Sequence, residues 1–123
     1  MSEEIAMYKD FMNGLLERRV EMRSKFIKTN RKQVWPKVEH YKRYTDFFNT
    51  LSAENKLVLA DLLQDTRDGA IFDTLEYFDE KIYLAELHVT QRGVEYPRNF
   101  FGGDFHMDWV ALCSGDMWGE NRE

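Results

Sequence analysis

The sequence predicts an α+β fold: a mainly helical single domain spanning residues 1–123, with four or five helices and a β-hairpin in the C-terminal third. Three observations lead there. Apolar residues recur at steps of three and four through the first two-thirds of the chain. The period then shortens toward two at Ile82–Val89, and a turn signal follows at Thr90–Gly93. Helices come before strands without alternation, which argues against a parallel α/β sheet.

The first helix is expected over about Glu3–Lys28. Ser2 is a natural N-cap, and Glu3 and Glu4 suit the positive end of the helix dipole. Ile5, Tyr8, Met12, Leu15, Met22 and Phe26 mark its buried stripe. Pro36 fits the first turn of a second helix, where a missing N–H costs nothing. Val34, Val38, Tyr41, Thr45 and Phe48 step along its inner face. Ser52 caps a third helix ending near Asp65. Arg67-Asp68-Gly69 reads as a break, after which Asp68 caps a fourth helix. In that helix Ile71, Phe72, Leu75 and Phe78 face inward, and Asp73, Glu76, Asp79 and Glu80 face out.

Strands are expected over Ile82–Val89 and Val94–Tyr96, joined by Thr90-Gln91-Arg92-Gly93, with Gly93 left-handed. Asp104–Cys113 reads two ways. Phe105, Trp109 and Leu112 fit a helical stripe behind an Asp104 cap, and Phe105, Met107, Trp109, Ala111 and Cys113 fit one side of a strand. The helix is favoured.

A hydrophobic fraction of 43% with 15% aromatics can fill a core, and 123 residues suit one domain. The single cysteine, Cys113, excludes an intrachain disulfide and fits a reducing compartment. No apolar run is long enough for a bilayer, and the acidic start MSEEIAMYKD does not resemble a secretory signal. A cytoplasmic protein with no membrane contact is therefore expected. The net charge of -5 is unevenly spread. Residues 1–50 hold 11 Lys/Arg against 7 Asp/Glu, and residues 51–123 hold 6 against 15. Solvated helix faces explain such a split. So does a bipolar molecule that docks head to tail, or an acidic surface that meets a basic partner.

The stretches DLLQDTRDGAIFDTLEYFDE, RGVEYP and DFHMDWVALCSGDMW resemble an uncharacterised family of small bacterial proteins. In that family a helix is followed by an N/R-G-V-E-x-P turn and a closing aromatic-acidic segment. The resemblance spans roughly Leu51–Trp118 and implies a bacterial cytoplasmic origin, with no activity, cofactor or catalytic residue attached.

Candidate chemistry is sparse. On a strand, Asp104, His106 and Asp108 would share one face, and with His88 they offer carboxylate and imidazole ligands for a divalent metal. On a helix only Asp104 and Asp108 align, leaving an N-cap, a surface histidine and a solvated aspartate. Cys113 lies in the apolar context WVALCSG, where an inert thiol is the default. No GxSxG, phosphate loop or CxxC is present, so no catalytic residue is nominated and no cofactor is implied. Arg18, Arg19, Arg23, Lys25, Lys28, Arg31, Lys32 and Lys37 gather around the first helix connection, with Trp35 available to stack on a base. The acidic remainder would repel a phosphate backbone, so nucleic acid is not the expected ligand.

The function class that best fits is a non-catalytic protein-interaction or regulatory protein, of an immunity or inhibitor kind. Tyr96, Phe100, Phe101, Trp109 and Trp118, concentrated near loops, are its candidate contacts with another protein, or with a second copy in a homo-oligomer. Filling a small core is the competing role for the same aromatics. The rival class is a small metal-binding protein or metal-dependent enzyme built on His88, Asp104, His106 and Asp108.

Overall fold

Helix ends are where this sequence speaks most clearly. The Ser2 hydroxyl accepts from the Ile5 N–H at 3.4 Å and starts α1, Glu3–Arg18. The Ser52 hydroxyl accepts from the Asn55 N–H at 3.1 Å at the head of α4, Ala53–Leu84. Between them lie α2 (Met22–Lys28), a 3-10 turn (Glu39–Tyr41) and α3 (Lys42–Asn49). A hairpin of β1 (Thr90–Gln91) and β2 (Val94–Glu95) precedes α5, Phe105–Cys113. This computed structural model describes residues 2–97 and 104–115. Among these residues, five α-helices and a two-stranded antiparallel hairpin make the fold α+β and mainly helical, as the sequence predicts.

Several boundaries differ, each for a local reason. The expected first helix is two. Helix α1 stops at Arg18 with Arg19 as its C-cap, and Glu21 starts a new helix by accepting from the Arg23 and Ser24 N–H groups at 3.1 and 3.0 Å. Helix α2 then ends in a Schellman motif, with Asn30 left-handed at φ 59°. The Arg31 N–H returns to the Phe26 carbonyl and the Asn30 N–H to that of Ile27. Pro36 does not open a helix, and regular structure resumes only at Glu39.

The break expected at Arg67–Gly69 is absent, and α4 runs unbroken for 32 residues. Mid-helix glycine costs only about 1 kcal/mol relative to alanine, too little to interrupt a helix packed on both sides of it. Asp68 caps nothing. Its carboxylate takes the Arg19 guanidinium in a two-pronged ion pair, at 3.0 and 2.5 Å. Ile82–Leu84 form the last turn of α4 rather than a strand. Glu86 at φ 56° then turns the chain, so the extended course begins only beyond it. Thr90 pairs with Glu95 and Gln91 with Val94. That register leaves Arg92 (φ 53°) and Gly93 (φ 78°) as a two-residue turn with both φ positive, the kind that suits the twist of paired strands.

Contacts divide the chain into two compact units, Met1–Arg19 with Asp68–Glu123, and Val20–Arg67. The buried residues form two clusters, one in each. The first holds Tyr8, Met12, Leu75, Ile82, Tyr96, Phe105, Trp109 and Leu112. The second centres on Ile27, Val34 and Ala60, flanked by Phe26, Trp35, Phe48 and Leu63. Helix α4 contributes to both. At 1.5 Å per residue its 32 residues extend about 48 Å, more than one small core can cover.

Candidate functional site at the head of helix α5

Helix α5 begins with orphan N–H groups that need an acceptor. Asp104 stands at the N-cap position, yet its side chain caps nothing. Asp79, from α4, supplies the acceptor. Its carboxylate takes the Phe105 N–H at 3.2 Å and the His106 N–H at 3.0 Å. It also meets the His106 ring at Nδ1, 2.5 Å away. An ionised carboxylate can only accept, so Nδ1 carries the proton of this bond and Nε2 is the nitrogen left to act. The ring is steadied by Phe72, edge-on at 5.3 Å between centroids.

Asp104 turns instead to the Tyr83 hydroxyl, which donates to Oδ1 at 2.7 Å. Because Asp104 is extended (φ -80°, ψ -179°) rather than helical, its side chain leaves the line it would share with Asp108. Asp79, Asp104 and His106 thus converge, each offering a ligand atom within 4.8 Å of the others. Two carboxylates and an imidazole form a donor set suited to zinc or manganese.

Of the four ligands nominated from sequence, Asp104 and His106 come together here. Asp108 does not join them. It is 1% exposed and accepts from the Tyr8 hydroxyl at 2.5 Å, tying α5 to α1 inside the core. His88 lies on the exposed approach to the hairpin, with Nδ1 2.9 Å from the Glu95 carboxylate. Asp79 was expected to face out and is 5% exposed, whereas Phe78, expected inward, is 38% exposed. The signal for Asp79 was present: it sits four residues after Leu75 and three before Ile82, on the buried stripe itself.

The nominated partner contacts are placed differently. Tyr96 and Trp109 are 6% and 1% exposed and belong to the core, so their rings are spent on internal packing. Tyr96 lies against Tyr8 and Phe11, and burial pushes its hydroxyl above the usual tyrosine range. The Trp109 indole N–H donates to the Asp68 carbonyl at 3.1 Å. Phe100, Phe101 and Trp118 lie outside the described residues. Trp35, considered for base stacking, is half-buried against Tyr44 and Phe48. Cys113 is half-buried too. Burial pushes its thiol up, the nearby Arg19 guanidinium partly offsets this, and the Asp68 carboxylate adds to it.

Asp73, Glu76 and Glu80 face out on α4 as the sequence predicts, and Tyr77 and Leu84 join them there. Asp73, Glu76, Tyr77, Glu80 and Leu84 recur at helical steps opposite Leu75, Asp79 and Ile82. Tyr77 is 54% exposed and Leu84 79%. Among the described residues no helix is long and apolar enough to cross a membrane. No curated protein and no solved structure matches the chain. One family does, over residues 1–120, so the likeness seen from Leu51 onward extends to the first helices as well. The chain belongs to the family of unknown function DUF6547.

Proposed function

We propose that the protein works by binding another protein, as a regulatory, inhibitor-like or immunity-like factor of the bacterial cytoplasm, without catalysing a reaction. One observation carries this reading: the outward face of α4 keeps large apolar side chains in water, set among carboxylates. Scattered apolar residues are ordinary on a surface. Tyr77 and Leu84 stand two turns apart on one face, with Glu80 between them and Asp73 and Glu76 beside Tyr77, and apolar side chains ringed by carboxylates in this way suit a binding patch. Its chemistry asks for a partner that is apolar at the centre and basic at the rim.

Affinity capture from the native cell tests this, with the wild-type chain and a Tyr77→Glu/Leu84→Glu variant as parallel baits. A partner held by the first and lost by the second is the expected result. Equal recovery by both, or none by either, removes the proposal.

A second reading has its own support in the convergence of Asp79, Asp104 and His106. A divalent cation held there would raise the melting temperature. At a hundredfold excess over Kd the gain is about 2.7 kcal/mol, or roughly 10 °C for a chain of this size. Zinc or manganese should produce that shift in the wild type and not in Asp104→Ala. An unchanged wild-type melt with either metal ends the metal reading.

A further inference from the structure

The unit formed by Val20–Arg67 has the opposite charge to the rest of the chain. It holds 10 Lys/Arg against 6 Asp/Glu, whereas the other unit holds 7 against 16. Its surface is indented by an open groove of about 500 Å³. Lys28, Arg31, Lys32 and Lys56 stand around it, Phe48 and Leu57 give it an apolar lining, and no carboxylate lines it. Leu57 is half exposed.

The aromatic surface of this region is partly taken. The Lys56 ammonium lies 4.7 Å from the Phe48 ring centre, and the Arg31 guanidinium lies 4.1 Å from that of Phe26. A cation over one face of each ring leaves less aromatic surface here for stacking on nucleotide bases. What it offers is an aliphatic floor inside a basic rim. The matching surface is an acidic face with aliphatic and phenolic side chains at its centre, and this chain carries one. On α4, Asp73, Glu76 and Glu80 flank Tyr77 and Leu84, and the Lys81 ammonium lies 5.4 Å from the Tyr77 ring centre.

We infer that the basic groove of the Val20–Arg67 unit docks the acidic, apolar α4 face of a second copy of the chain, head to tail. The inference rests on the reading of that face as a binding surface and names its occupant. The contact is heterologous, with different patches meeting, so each added copy presents a fresh groove and a fresh face. Apolar burial holds the pair, while the charges set its orientation and make it sensitive to salt.

Sedimentation of the full chain over a concentration series, at low and high salt, tests it. The wild type should gain mass with concentration, and high salt should weaken the association at least about tenfold. Arg31→Glu/Lys32→Glu and Glu76→Lys/Glu80→Lys should each remain monomeric, with circular dichroism showing both folded. Mixed in equal amounts, the two variants should associate again, because the intact face of one meets the intact groove of the other and the two reversed surfaces are likewise opposite in charge. A wild type that stays monomeric overturns the inference, as does assembly unaffected by either variant, or a mixture that stays monomeric. A thymidine oligonucleotide that binds the wild type and not Arg31→Glu/Lys32→Glu would assign the groove to nucleic acid instead. Should the wild type be monomeric while the Tyr77→Glu/Leu84→Glu bait still loses a foreign partner, the self-docking fails and the binding face stands.

Discussion

Asp73 and Asp79 sit on one helix, under two turns apart, and meet opposite surroundings. Asp73 is exposed, while Asp79 is buried and holds two backbone N–H groups and an imidazole. Removing a cap acceptor costs about 1 kcal/mol, and leaving buried donors unsatisfied adds about 1–3. Asp79→Ala should therefore destabilise the protein by about 2–4 kcal/mol in denaturant titrations, and Asp73→Ala should stay within about 0.5. Equal effects would mean that Asp79 caps nothing in solution. The contrast also marks where sequence reading stops. A cap supplied within its own segment, such as Ser2 or Ser52, is visible from spacing alone. A cap reaching α5 from 26 residues earlier is visible only as an aspartate out of place on an apolar stripe. Likewise His106 and Asp104 meet because one stands just outside the helix and the other inside it. Neither the strand nor the helix pattern describes that mixed geometry.

At the level of elements, α4 is the clearest case of tertiary context overriding a local signal. Arg67-Asp68-Gly69 has the composition of a break, but Leu63, Ile71 and Phe72 on either side pack into buried clusters, and the helical hydrogen bonding continues between them. Gly69 then bears a cost without a visible use, since a Cβ built there meets nothing within 4 Å and its φ is not positive. Gly69→Ala should stabilise the protein by about 0.5–1 kcal/mol, read as a higher denaturant midpoint with an unchanged slope. A loss of stability would mean that the helix bends there. Gly93 differs: at φ 78° it occupies the left-handed turn position that the sequence assigned to it. Helix α5 was legible too, because Phe105, Trp109 and Leu112 keep a helical spacing and all three are buried. The first hairpin strand was drawn too long because IYLAEL fits a strand pattern as well as the final turns of a helix. Ile82, buried beside Leu75, decides for the helix.

For the molecule as a whole, periodicity points to a helical α+β chain, and counts along the sequence point to an uneven charge. Neither could say that the charge divides with the compact units, because the acidic unit is assembled from both ends of the sequence. The halves counted along the chain resemble the units only because residues 1–19 hold 4 acids and 3 bases, too few to shift either balance. This segregation is what gives the salt series described above its meaning. An association driven by apolar burial alone would be steady or stronger in salt, and one guided by opposed charges should weaken.

Cys113 has a practical corollary. It is the sole thiol in the chain, and in the folded protein its proton is held more tightly than in a free cysteine. Thiolate is the reactive species, so a maleimide dye will label native molecules slowly and unfolded ones at the ordinary rate. The protein therefore carries its own stopwatch, wired to the last turn of α5, by which the opening of that helix can be timed without adding a probe.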